Sequence, residues 1–462
     1  MEHYISNEVL LLEQLTAIIE GDTQLKLSEE AVINIETCHR FLSDYLQKDL
    51  KSLNNLPVDS MSLLRHYACG IGECIPNEIV KLMLFLKIQS FSYGYSGVRL
   101  ALVQRLIDFY NHGVFPVVYS KDIPDERIAL AHLALPLFGE GEVCIQHKIY
   151  SAQELEGKYG WQPLSSEGRE ADALLNGTQL TTAYGIYNLN KSLKLIQWAD
   201  FVASVSTQVF GGNLSAFSEA MQVVRPHKGL VETAEHLRML LKDSVLSEHP
   251  QAFSSMPEAF CSIPQIHGAV RESIAAIRKV IKTEMNSVTD NPILFPETQE
   301  VIFGGNSHTL PLSLAMDFLA ITLTSLGNIS ERRVFYLLSN IGKEIETEID
   351  YPIFQRIIEG ILNENRRLST PASIESPILF EKTIDIKGMG GSSAIKCEQV
   401  VKNIEEILAI ELILATSLWK KKQFEHHSAL FKEYLSFMAE EEVTTLKKQI
   451  EHTIRFFEIN DE

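Results

Sequence analysis

Three short strings hold the side chains best suited to chemistry. Asn176-Gly177-Thr178-Gln179 offers two amides, each able to donate and accept hydrogen bonds to a polar ligand. Gly304-Gly305-Asn306-Ser307-His308 adds a third amide and an imidazole, the side chain that exchanges protons near neutral pH. Gly390-Gly391-Ser392-Ser393-Ala394-Ile395-Lys396 puts two hydroxyls in a glycine-rich segment before a long apolar run. Each string also has a plain structural use. Asn176 suits a helix start, where its amide caps backbone N–H groups, and Ser392 and Ser393 suit the same task. Asn306 after two glycines suits a turn. His308 beside an apolar stretch suits a core histidine with its hydrogen bonds satisfied.

The elements that must position these strings are helical. Apolar residues recur at helical spacing over Leu10–Ile19, Ala31–Leu46 and Ile79–Ile88. Three longer segments follow: Pro264–Met285, Pro311–Ser339 and Ile395–Trp419. Each is apolar on more than one face, so each must be buried among other helices. Together they predict a long central bundle. Phe115–Tyr119 and Ile293–Phe295 read as short strands. The charged amphipathic tail from about Glu425 reads as a peripheral helical cap. The division is therefore 1–190, a smaller N-terminal lobe; 191–424, the long-helix bundle; and 425–462, the cap.

The chain has 462 residues, 45% of them hydrophobic, which is ample for a large core. Its net charge of −19 repels phosphate backbones and argues against a nucleic-acid partner. No uninterrupted apolar run approaches a membrane span, and the N-terminus has no secretory pattern. Cys38, Cys69, Cys74, Cys144, Cys261 and Cys397 fit neither a zinc-ligand spacing nor a small disulfide framework. No metal site is expected, and a reducing cytoplasm is the simplest setting.

Further strings resemble those of histidine and aromatic amino acid ammonia-lyases. They are Gly94-Tyr95-Ser96-Gly97-Val98-Arg99-Leu100, Ala131-His132-Leu133-Ala134-Leu135, Gly139-Glu140-Gly141-Glu142, Leu174-Leu175 with the Asn176–Gln179 string, Thr289-Asp290-Asn291-Pro292, and Ser330-Glu331-Arg332-Arg333. They occur in family order over roughly residues 30–420. The resemblance implies an all-α fold, a long helical bundle of the ammonia-lyase, fumarase/aspartase-like type. It also implies homotetramers whose active sites are shared between chains. On the matching positions it makes Asn176, Gln179, Asn306 and His308 substrate-binding residues.

The family's elimination depends on an electrophile, the methylideneimidazolone group, made by cyclisation of an internal Ala-Ser-Gly tripeptide. The resemblance puts that tripeptide between Pro116-Val117-Val118 and Ala131-His132. The intervening residues, Tyr119 to Leu130, contain no Gly and no Ala-Ser pair, and the segment is shorter than the family's by about a tripeptide. Cyclisation needs a small, Gly-ended loop; Ile123, Pro124 and Arg127 do not supply one. The prosthetic group is expected to be absent, with no other cofactor in its place. The family's Gly-rich tyrosine loop is missing around Asp49–Asn55. Its second tyrosine and its carboxylate-gripping arginine align with Glu258 and Cys261, its substrate-side histidine with Tyr67, and its active-site glutamate near Ile384.

Three classes of function follow. The first is a catalytically degenerate homologue, or pseudoenzyme, kept for assembly as a homotetramer or as an oligomer partner of an active paralogue. The second is an electrophile-independent elimination in the old cleft. There Tyr67, Glu258, Ser392 and Ser393 would be the catalytic candidates, and Lys387 could serve as acid or base; the ligand would be a small amino-acid derivative. Ser392 and Ser393 enter because the glycine-serine string resembles the serine loop of the fumarase/aspartase superfamily. The third is an ordinary lyase acting on histidine, tyrosine or phenylalanine.

Overall fold

The computed structural model of the chain describes residues 1–21, 23–48, 61–121, 125–242, 244, 246, 256–339, 351–376, 386–422, 428–440 and 445–460. The Asp49–Asn55 stretch, Ile123, Pro124 and Ile384 lie outside them. The described chain is predominantly helical. The helices used below are α1 (Asn77–Ser92), α2 (Glu126–Ala134), α3 (Glu170–Leu175), α4 (Gln179–Phe210), α5 (Lys228–Leu240), α6 (Ile263–Glu284), α7 (Leu310–Ser339) and α8 (Gly390–Lys422). Strands are short and peripheral: a parallel pair, Glu2–Ile5 with Gln24–Leu27, and small antiparallel sheets such as Ile293–Phe295 with Glu300–Ile302.

Four helices of 22 to 33 residues dominate. Three are the segments anticipated from apolar patterning. The fourth, α4, has no matching stripe in the sequence. Many of its polar residues are buried, and several hydroxyls bond back within the helix: Ser192 Oγ donates to Asn188 O (2.6 Å) and Thr207 Oγ1 to Ala203 O (2.7 Å). Such back-bonding lets hydroxyl residues sit in a helix buried on every side. By length and composition α7 alone among the described helices could cross a membrane, yet 67% of its most apolar window is buried within the protein. That is the pattern of a core helix.

The chain forms two compact units, each assembled from three separated segments. Unit 1 comprises 1–187, 279–315 and 372–395; unit 2 comprises 188–278, 316–371 and 396–462. All four long helices contribute residues to both.

In unit 2 the packing is tight enough to exclude a methyl group. A Cβ on Gly327 of α7 would lie 2.8 Å from Ile404 Cδ1 and 2.9 Å from Leu362 Cδ2. Two carboxylates sit at its centre. Glu411 of α8 accepts Arg333 Nε at 2.6 Å and Nη2 at 2.8 Å, plus Ser206 Oγ at 2.6 Å, and all three charged and polar partners are fully buried. Asp200 of α4 accepts His267 Nδ1 at 2.6 Å, His236 Nδ1 at 2.9 Å, and Arg271. The tail packs here too. Trp198 stacks on Phe457 at 4.8 Å and donates to its carbonyl, so the 446–459 helix is a structural cap.

In unit 1 a second buried pair organises the loops. Arg169 holds Asp290 through two bonds of 2.8 and 2.9 Å and also donates to Ser96 O and Asn291 O. Two of the family-like strings, 94–100 and 289–292, therefore meet on one guanidinium. Lys87 of α1 caps the end of α3, donating to Asn176 O at 2.6 Å and Ala173 O at 3.2 Å. Burial pushes its ammonium down to about 8.

Candidate active-site cleft

Unit 1 contains a cleft of about 720 Å³. Its wall is built from helix beginnings. The starts of α2, α4, α7 and α8 all contribute, through Glu126, Gly177, Thr309 and Gly390. Helix N-termini carry unpaired N–H groups and a partial positive charge, so four of them around one space create a demand for anions. The starts of α4, α7 and α8 are in contact. Gly390 N donates to Thr309 Oγ1 at 3.2 Å, and a Cβ on Gly390 would meet Thr309 Cβ at 2.7 Å and collide with Thr181 Oγ1. Next to it Met389 adopts a left-handed φ of 53°, a conformation uncommon for a non-glycine residue.

The chain answers this demand with its own carboxylates. Glu126 reaches the first turn of α4, where its oxygens accept Leu180 N at 3.1 Å, Thr181 N at 3.0 Å and the Thr181 hydroxyl. Burial raises its carboxyl to about 7, although those hydrogen bonds pull the other way. Asp125 is the N-cap of α2 and accepts Arg127 N at 2.9 Å. Its Oδ2 also receives Lys387 Nζ at 2.9 Å and Arg127 Nη2 at 3.0 Å. Burial works against the Asp125 charge, but Arg127 and Lys387 outweigh it and hold the carboxyl below its ordinary range. Asp172, a third acid on the wall, is raised by burial despite its bond to Arg169.

The residues singled out in the sequence take different places. Asn176 and His308 line the cleft. Asn176 follows α3 as its C-cap rather than starting a helix, and donates to Asn291 O at 2.8 Å. His308 is half-buried, and its Nδ1 accepts Leu310 N at 3.3 Å at the head of α7. Gln179 opens α4 and donates to Thr289 Oγ1 at 3.4 Å, while its buried Oε1 has no partner among the described residues. Asn306 is exposed and donates to Val288 O. Tyr67 ends the Met61–Tyr67 helix, with the Arg127 guanidinium 4.3 Å above its ring.

Ser392 and Ser393 lie inside the first turn of α8. Ser393 is fully buried and donates to Gly390 O at 2.8 Å, and neither serine is on the cleft wall. Glu258 is an exposed residue of unit 2, and Cys261 follows in the same short helix. Lys387, by contrast, is on the wall and largely buried. Asp125, Glu126 and Arg127 were visible in the sequence only as charged loop residues; the signal that could have promoted them is an Asp N-cap followed by acid and base in a first helical turn. Among the described residues no group of three or more His, Cys, Asp or Glu side chains could hold a metal ion.

Comparison with known proteins agrees with this architecture. The model of the aromatic amino acid lyase family matches residues 57–436. Histidine ammonia-lyase 2 of Fusobacterium nucleatum is 31% identical over 452 residues, covering 90% of this chain and 88% of the relative. The histidine ammonia-lyase structure from Trypanosoma cruzi superposes with a TM-score of 0.89 at 27% identity, covering 99% of this chain and 94% of that one. Ergothionase from Treponema denticola, at 20% identity, shares the fold with a TM-score of 0.91 and covers 99% of each chain. With a family model spanning most of its length and a relative of this identity matched nearly end to end, the chain belongs to the aromatic amino acid lyase family.

Proposed function

We propose that this chain is a degenerate family member that does not build the methylideneimidazolone electrophile and does not expel ammonia by the family's route. The observation that carries the reading is the wall formed by Asp125 and Glu126. The loop before Ala131 has no Gly to close a cyclised tripeptide. Its described end instead presents two carboxylates, one bound to Lys387 and Arg127 and the other capping α4. An electrophile works by withdrawing electrons from an amine; a carboxylate in the same neighbourhood does the opposite. These residues do not fit the prosthetic group.

The role left to such a protein is assembly, as a homotetramer or as one chain of a mixed oligomer with an active paralogue. An apolar stripe on α7 supports it: Leu314, Phe318 and Ile321, at helical spacing, are 54%, 46% and 42% exposed. A second copy of the fold would cover such a stripe. The setting is the reducing cytoplasm, and the six free thiols agree with that.

A second reading is favoured by one observation. Glu126, raised to about 7, and Lys387 line the same cleft, so an acid and a base are available without an electrophile. The purified protein, at high concentration, is offered histidine, tyrosine and phenylalanine while absorbance is followed for a conjugated acrylate. Intact mass and native mass are recorded on the same sample. A flat trace, an unmodified mass and an oligomeric native mass are expected. Acrylate with an unmodified mass would favour electrophile-free elimination. Acrylate with a mass lowered by loss of water would establish the ordinary lyase and end the degenerate reading.

A further inference from the structure

The arginine that the resemblance assigns to carboxylate binding is replaced by Cys261, a residue of unit 2. Yet two cations converge on one wall of the unit 1 cleft. Lys387 Nζ and Arg127 Nη2 both reach Asp125 Oδ2, at 2.9 and 3.0 Å. Lys387 is 12% exposed and Asp125 13%, so the pair sits in the wall and not out in solvent. The group it now holds is a planar two-oxygen anion, the side chain's own carboxylate. An ammonium has three N–H donors, and a single acceptor at 2.9 Å accounts for one of them. Beside Lys387 the heads of α7 and α8 add partial positive charge through Thr309 and Gly390.

The rest of the wall mixes polar groups, among them Glu126, Asp172, Asn176 and His308, with apolar side chains. Leu175, Phe303 and Met389 line the same cleft, and its volume of about 720 Å³ suits a small organic molecule. Inorganic phosphate would satisfy the charge but would leave these surfaces wet. An acid with an apolar body satisfies both.

We propose that the unit 1 cleft binds a small organic acid, its carboxylate on the Lys387 ammonium beside Asp125 and its apolar body against Leu175, Phe303 and Met389. Asp125 is the internal competitor of that ligand: it occupies the cation and repels a second carboxylate nearby. The inference rests on the reading that no electrophile occupies this wall.

The test uses 3-phenylpropionate as probe, its neutral amide as control and inorganic phosphate as competitor, with binding followed by calorimetry on the full chain. Saturable binding of the acid and none of the amide is expected. Asp125→Asn should tighten the acid at least fivefold, because the cation keeps its charge and loses its competitor. Lys387→Met should weaken it at least tenfold, with unchanged circular dichroism showing that the fold is intact. Equal binding of acid and amide, unaltered affinity in Lys387→Met, or no saturable binding by either the parent or Asp125→Asn would overturn the proposal. Displacement by phosphate at the same concentration as the acid would overturn the organic-acid assignment. Intact mass on the same samples separates the two readings. No binding at an unmodified mass sinks this inference alone, and a mass lowered by loss of water sinks both.

Discussion

The two units treat their buried carboxylates in opposite ways. In unit 2, Glu411 and Asp200 are fully buried and ringed by donors: Arg333, Ser206 and Ser330 for one, His236, His267 and Arg271 for the other. They have no open space to face, and their saturation is architectural. In unit 1, Asp125 and Glu126 are equally well bonded but border a cleft. The same chemical group is a cross-link in one place and the wall of a cleft in the other. What separates them is access, not bonding. Titration separates Asp200 from Glu126 as well, whereas Asp125 is lowered like Asp200. Asp200 is held well below the ordinary carboxylate range because, although burial opposes its charge, its histidine and arginine partners outweigh that cost. Glu126 is raised because burial outweighs its neutral hydrogen-bond donors.

The largest test of the contrast is Glu411→Ala. Removing one partner of a fully buried bidentate pair leaves Arg333 uncompensated, and about 3–5 kcal/mol of stability should be lost in urea denaturation. Asp125→Ala should cost clearly less, since water can enter the cleft. Equal losses would erase the distinction between cross-link and wall.

The pH dependence should have opposite signs. Asp200's folded pKa is depressed, so its contribution is present above the ordinary carboxylate range and lost as pH falls through the folded value. Asp200→Asn should therefore flatten the acid limb of the stability profile. Glu126's folded pKa is raised, so its contribution is full below the ordinary value of 4.5 and lost as pH rises towards about 7. Glu126→Gln should remove a decline on the order of 3 kcal/mol across that window. A parent profile with no slope there would show that Glu126 stays ionised.

The smallest effect is expected at Lys387→Met. The pair is largely buried, but Arg127 still holds Asp125 and the cleft admits water to the carboxylate left behind, so the variant's denaturation midpoint should move least of the three. A loss as large as that of Glu411→Ala would make Lys387 a structural cross-link and bring unit 1 into line with unit 2.

Much of this was legible in the sequence, and the exceptions have physical causes. The 264–285 and 311–339 segments correspond to α6 and α7 within a residue or so, because long apolar stretches leave little freedom in where a helix runs. The last long helix begins at Gly390, five residues before the Ile395 start read from the sequence. Gly-Gly-Ser-Ser has poor propensity for the helix proper, but packing against Thr309 and Thr181 requires the glycine at 390. Helix α4 escaped because burial on most sides erases the 3.6-residue pattern, with buried hydroxyls that bond back to its own carbonyls and polar groups that pair with other helices. Asn176 and His308 stood out because family-like strings surround them. Asp125, Glu126 and Arg127 did not, because isolated charges in a loop resemble any solvated surface. Only the convergence of helix heads distant in sequence gives them a role.

That convergence also restricts how this loop can drift. Positions 125 and 126 face a standing positive potential and, at α4, first-turn N–H groups from Leu180 and Thr181 that need acceptors. An apolar pair there would leave buried donors unsatisfied at about 1–3 kcal/mol each. Substitutions that survive should be those that keep an oxygen acceptor turned inward, whatever else they change. The loop can exchange one chemistry for another, but the helices behind it confine the exchange to residues bearing negative charge or a lone pair.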